Sequence, residues 1–324
     1  MNDVCAIGGQ MEVGRESRVL TPSDALLFDR TVDVSVKQRV FKEWLHRWEL
    51  ANLPLLEAGE YRTSRHVGTV TLLIYVFGLA RERPESYQFS ILHTWRTVGK
   101  LPVVIVTDRE SSGMEAFRRR HPDFVSIVIA DGLAEGDTYS MSLDCVRNLH
   151  RYFETPYCLI IQDDGFPIQD RLEEFVGRWD YIGAPNVRNS FRQHIADWIL
   201  EDGLNGGFCL RSKRFCRSVA LNWRIWGEAY AHLRGFKSED YLFVCMTRLN
   251  PWVRFRYRVP GAKVARRFSF YDLVGTFDRR MVDELPFGLH GQTTIWQYRD
   301  VIRGLGYDLG EKCVRRGDGQ QDSA

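Results

Sequence analysis

From Val67 onward, short apolar runs rich in β-branched residues alternate with stretches of helical spacing, and this alternation limits the fold more than any other feature. Residues 70–77 form a continuous apolar run, the expected pattern of a strand buried on both faces of a parallel sheet. A helix is predicted over 86–98, with Tyr87, Ile91, Leu92 and Trp95 on one side. A second strand over 102–107 ends at Asp108, and a short helix over 114–120 leads to a third strand at 125–130. A helix over 140–153 precedes a fourth strand, 157–161, which stops abruptly at Gln162-Asp163-Asp164-Gly165. The reading is an α/β fold, a Rossmann-type mixed sheet with helices on both faces.

Outside this core the pattern is less regular. Val40, Phe41, Trp44, Leu45 and Trp48 recur at helical spacing, so an amphipathic helix is expected over 36–51, with Pro54 and Gly59 as punctuation after it. Residues 1–65 are read as a leader carrying that helix, 66–300 as one domain, and 301–324 as a polar tail. Short strands are expected at 181–184 and 206–210, a helix at 214–223, and a buried helix at 238–249. Residues 252–271 carry six basic residues and no acidic one; Arg254, Arg256 and Arg258 alternate with Val253, Phe255, Tyr257 and Val259, which predicts a strand with one cationic face.

A formal net charge of only +2 over 324 residues supplies no general field for nucleic acid, so an anionic partner must be met by a local cluster. Seven cysteines (Cys5, Cys145, Cys158, Cys209, Cys216, Cys245 and Cys313), without CxxC spacing, argue against a disulfide framework or a structural zinc site. A cytoplasmic location follows as the expectation. No apolar run is long enough to span a bilayer, and association with the membrane surface stays open.

Four segments carry potential chemistry. Gln162-Asp163-Asp164-Gly165-Phe166 lies at a strand's carboxyl end, where open α/β sheets bind ligands; carboxylates there suit Mg²⁺ or Mn²⁺, although Asp-Gly is also ordinary turn chemistry. Gly206 and Gly207, in Asn205-Gly206-Gly207-Phe208, allow close approach of the backbone to a ligand, or merely a turn. Glu239-Asp240 after Ser238 could supply a general base, or simply cap a helix. His290, between Leu289 and Gly291, could reach a metal or a phosphate, or stay solvated.

The order of these segments resembles an uncharacterised domain family of GT-A-like nucleotide-diphospho-sugar transferases, with Gln162–Phe166, Asp180–Pro185, Asn205–Ser212, Glu239-Asp240 and Pro286–His290 as the matching motifs. That resemblance implies a glycosyltransferase moving a sugar from a nucleotide-diphospho-sugar donor to an acceptor hydroxyl, with inverting stereochemistry. It implies Asp164 and His290 as ligands of a divalent cation, Mn²⁺ or Mg²⁺, and Asp240 or Glu239 as the base. Donor-binding roles are expected for Asp163, Asp164, Asp108, Gly206, Gly207, Arg266 and Arg267. The alternatives are a sugar nucleotidyltransferase, approached by Phe77-Gly78-Leu79-Ala80-Arg81 but lacking its second glycine, or a sugar-nucleotide-binding module without catalysis.

Overall fold

The computed structural model describes residues 22–29, 31–133, 138–185, 204–234, 239–240, 243, 250–271 and 284–308. Strands β1 (Val70–Tyr75), β2 (Val103–Thr107), β3 (Val125–Ile129) and β4 (Tyr157–Ile161) run parallel in the order β3-β2-β1-β4. After β4 the chain turns into β5 (Gly165–Pro167), which leaves this sheet. Strands β6 (Tyr181–Pro185) and β7 (Leu204–Ser212) extend the main sheet beyond β4, with β7 antiparallel to both neighbours. A second sheet has β5 and β8 (Ser269–Tyr271) on either side of β9 (Gly288–His290).

The strands are apolar on both sides because both sides are covered. Val70, Leu72 and Ile74 of β1 join one core cluster, Leu73 the other; Leu159 and Ile161 of β4 oppose Cys158 and Ile160 in the same way. The first cluster is closed by α1 (Asp24–Phe28), α2 (Val34–Glu57), α3 (Pro84–Val98) and α4 (Ser112–Arg120). The second is closed by α5 (Thr138–Asn148) and α6 (Lys213–Arg234), together with Val253 of α7 (Pro251–Arg256) and Ala265 of α8 (Ala262–Phe268). Helices α9 (Gln292–Gln297) and α10 (Arg299–Gly304) return to the first side. The predicted α/β sheet with helices on both faces is therefore present.

Helix α2 is longer than the 36–51 expected and is part of the core. Asp33 caps it by accepting from Ser35 N, and its Phe41, Trp44, Leu45 and Trp48 join the first core cluster. Trp48 packs edge-on against Phe89 of α3, ring centroids 4.7 Å apart. Pro54 does not stop the helix. Proline removes the donor to the carbonyl of Leu50, and Leu50 is on the exposed side, where water can serve that oxygen.

The alternating stretch 253–259 is corrected: α7 replaces the expected strand. Asn250 Oδ1 accepts from both Trp252 N and Val253 N, with Pro251 at the first helical position, so a strong start signal overrides alternation. The polar tail is also corrected over residues 301–308, since Ile302 and Tyr307 are buried in the first core cluster. Most of the predicted helix 238–249 and the rest of the tail lie outside the described residues.

Candidate active site at the end of the fourth strand

Following β1 the chain moves through β2 and β3 in one direction, then returns to place β4 on the other side of β1. The carboxyl ends of β1 and β4 thus diverge at a topological switch point, where open α/β sheets leave a crevice. Gln162-Asp163-Asp164-Gly165 forms a tight reversal there: Gly165 N donates to Gln162 O at 3.1 Å, and Gln162 N to Gly165 O at 3.3 Å. The turn chemistry expected of this segment is present, and the same turn borders a cleft. Asp164 lines a cleft of about 610 Å³, while Asp163 is not among its lining residues.

Strand β9 brings in the imidazole. Gly165 pairs with His290, and Gly291 N donates to Asp164 O at 2.8 Å, so the two segments are fixed by backbone bonds. His290 Nε2 lies 3.6 Å from Asp164 Oδ1 and 3.1 Å from Gln162 Oε1, and its ring stacks on Tyr271 with centroids 4.7 Å apart. Gln292 Nε2 donates to Asp164 Oδ2 at 2.6 Å. A Cβ at position 207 would overlap the His290 ring and stand 2.5 Å from Gln162 Oε1. The glycine is required because a side chain of the same protein occupies its place.

Gly206 does not line the cleft but follows the same logic. A Cβ there would stand 2.6 Å from Glu239 Oε1 and 2.7 Å from Arg211 Nη2. Glu239 is held at both oxygens: Ser142 Oγ donates to Oε2 at 2.9 Å, and Arg211 Nη2 is 3.6 Å from Oε1. Arg211 itself is fully buried, with its guanidinium 4.4 Å from the centroid of Phe243 and its Nη1 2.9 Å from Cys145 Sγ. Asp240 lines the cleft and is more accessible than Glu239.

Helix α2 supplies the third wall, which sequence reasoning missed. Gln38, Arg39 and Lys42 line the cleft, and the buried Glu49 lies two turns further along α2. Burial pushes the Asp164 carboxyl up to about 6, with Lys42 acting in the opposite direction. Asp163 is also raised to about 6, by burial and then by the neighbouring Asp164 charge. Burial raises Glu49 well above the usual carboxylate range, and Asp163 and Asp164 push it further. His290 is held down to about 4 by burial, so near neutral pH its ring is uncharged and can present a lone pair. The sequence signal for this wall was Glu49, a carboxylate at helical spacing between Leu45 and Leu53.

Other predicted site residues stand elsewhere. Asp108 binds the buried guanidinium of Arg81 and does not line the cleft; burial opposes its charge, but the hydrogen bond and charge of Arg81 hold it below its ordinary value. That pairing also occupies the arginine of the nucleotidyltransferase-like segment. Arg267 meets Glu174 and Glu284, each at 3.2 Å, and neither it nor Arg266 lines the cleft. Asp180 is fully buried and accepts from Ser212 Oγ, Arg214 and Arg258 N, so that acid joins β6, β7 and α6.

Among the described residues, no three His, Cys, Asp or Glu side chains form a metal-binding group. A hydrated divalent cation needs less. Mg²⁺-type sites use one or two protein ligands, and water and phosphate complete the shell. Asp164 Oδ1 and the Gln162 amide oxygen lie 3.6 and 3.1 Å from the same nitrogen, His290 Nε2, and the buried Nδ1 of His290 has no hydrogen-bond partner. This donor set fits such an ion.

Residues 136–290, a little under half of the chain, match a family model described as "Protein of unknown function (DUF5672)". No curated protein matches the sequence. Among solved structures, the chain is similar to the glycosyltransferase GlyE of Streptococcus pneumoniae TIGR4 (12% identity, TM-score 0.41, covering 68% of this chain and 54% of that one). It is similar to the mannosyltransferase Ktr4p of S. cerevisiae (12%, 0.42, 67% and 76%). It is also similar to the mannosyltransferase PcManGT of Pyrobaculum calidifontis, solved with GDP-Man and Mn²⁺ (12%, 0.34, 70% and 66%). The chain spans about half the length of GlyE.

Proposed function

We propose that this protein is a glycosyltransferase that moves a sugar from a nucleotide-diphospho-sugar to an acceptor hydroxyl. The observation that carries the reading is convergence: Asp164, Gly207, Asp240 and His290, from four separated segments, line one cleft beyond the carboxyl end of β4. Asp164 and His290 would hold a divalent cation, Mn²⁺ or Mg²⁺, with Gln162 beside them. When bound, such a cation supplies positive charge against a diphosphate leaving group.

The chain's own groups divide the remaining work. Lys42 and Arg39 on α2 face the same cleft and add fixed positive charge for the donor phosphates. Gln292 holds Asp164 in orientation through its 2.6 Å hydrogen bond. Asp240 takes the proton from the acceptor hydroxyl as its oxygen attacks the anomeric carbon, giving inversion. Glu239, engaged at both oxygens, is a positioning residue for the segment that carries Asp240.

A hydrolysis screen across UDP- and GDP-sugars, with and without Mn²⁺, tests the reading. Nucleoside diphosphate release that needs the metal and disappears in Asp164→Asn supports it. Pyrophosphate release from a nucleoside triphosphate plus a sugar phosphate would instead establish nucleotidyl transfer. Donor binding by calorimetry without turnover on any acceptor would leave a binding module.

A further inference from the structure

The short helix α7 exposes two aromatic side chains to an unusual degree: Trp252 and Phe255 are each 86% exposed, three residues apart and hence on one face. Arg254 and Arg256 flank them. Asn250 Nδ2 donates to Asn222 Oδ1 at 3.0 Å, which sets the start of α7 against α6 beside Leu221 and Ile225, exposed by 58% and 63%. There α6 and the end of α5 enclose an open groove of about 710 Å³ that contains Arg147, Arg151, Arg217 and Arg224 and no carboxylate. Arg147 stacks over the Trp223 ring at 5.6 Å, while among the described residues none of the four arginines is ion-paired. Glu154, whose charge also reaches Arg217, is paired with Lys213 at 2.7 Å.

We infer that α7 and the α5–α6 groove form a docking surface for an anionic phospholipid bilayer. Aromatic rings on an exposed short helix favour the boundary between headgroups and acyl chains, and unpaired arginines beside them meet lipid phosphates. Basic residues near an anionic surface each strengthen partitioning about fivefold. Nucleic acid would use the arginines too, but offers no apolar phase for Leu221 and Ile225. No helix among the described residues can cross a membrane, so attachment would be peripheral. The groove takes the last residues of α5 and the catalytic cleft the first, so docking leaves the cleft open to solvent.

The test is co-sedimentation of the full chain with phosphatidylcholine vesicles with and without phosphatidylserine. Binding should require phosphatidylserine, fall in high salt, and drop at least about tenfold in both Trp252→Ser/Phe255→Ser and Arg217→Glu/Arg224→Glu. All four side chains are exposed, so the melting temperatures should stay near that of the parent. Vesicle-induced blue shift of tryptophan emission, lost in the Trp252→Ser/Phe255→Ser protein, is the second readout. Failure to bind either vesicle overturns the inference. So does loss of vesicle binding in the arginine variant alone when the parent also binds a single-stranded RNA that the same variant loses, which would mark a polyanion site instead. Neither result bears on catalysis at Asp164.

Discussion

Gly207 lies against the face of His290 so closely that no side chain larger than hydrogen fits between them. The glycine pair that looks like a ligand loop in sequence is, at this position, the space in which the imidazole is held. Gly207→Ala should displace His290 and Gln162 and cost about 1–3 kcal/mol by overpacking. Urea unfolding checks this, with Gly261→Ala as the comparison, because nothing lies within 4 Å of a Cβ there.

Mn²⁺ should raise the melting temperature of the parent protein but not that of Asp164→Asn. At a concentration ten times Kd the cation adds about 1.4 kcal/mol. The asparagine keeps an oxygen for Gln292, so the substitution removes charge without removing the hydrogen bond. Thermal shift in the presence of EDTA, then Mn²⁺, then Mn²⁺ with a nucleoside diphosphate, measures the effect.

Asp240 and Glu239 should separate by readout. Asp240→Asn is expected to lower transfer by at least about a hundredfold with donor affinity retained. Glu239→Gln removes the charge facing the buried Arg211 and should lower stability first. Arg211→Met should be more severe, at roughly 3 kcal/mol, since it leaves the buried Glu239 carboxylate without its positive charge and with Ser142 alone. Turnover lost in Glu239→Gln at unchanged stability would reverse the two roles.

Asp108→Asn should destabilise the fold without touching donor binding. It removes the buried charge partner of the Arg81 guanidinium, whose side chain is 1% exposed and keeps Glu82 at 3.3 Å, at a cost of about 3 kcal/mol. Donor-induced stabilisation in the variant should match that of the parent, because Asp108 does not line the cleft.

Acidification should weaken the protein through buried histidines. His93 Nε2 donates to Pro167 O at 2.8 Å, its Nδ1 accepts from the Tyr307 hydroxyl, and burial holds it down to about 4. A histidine whose native value lies below its unfolded value stabilises the fold fully above about 6.5 and loses that contribution as the pH falls toward 4. The full effect is roughly 3 kcal/mol for this side chain. Stability measured by urea from pH 7.5 to 4.5 should therefore fall less steeply in His93→Gln than in the parent.

Much of the scaffold is legible because each parallel strand is a continuous apolar run and each loop beyond it begins with a polar break. Residues 157–161 are the clearest case, where expectation and strand coincide. The convergence of Asp164 with His290 is carried by the order of motifs and not by spacing, since no local pattern shows which chain segments meet. The role of Lys42 was illegible for a related reason. Helical periodicity tells which face of α2 is buried but not what it is buried against. At 253–259 an alternating pattern competed with the Asn250-Pro251 start signal, and two backbone amides satisfied by one side chain decided the outcome. Asp108 misled because a carboxylate ending a strand looks the same whether a ligand or a buried arginine awaits it.

The segment that matches the family model begins after β3, yet β4 within it takes its hydrogen bonds from β1 on one side. A polypeptide started at residue 136 would keep Asp164, Gly207, Asp240 and His290 while leaving that side of β4 as a bare apolar ribbon. It would also lack the α2 wall. Such a fragment should self-associate, so the candidate site residues depend for their solubility on the residues that precede them.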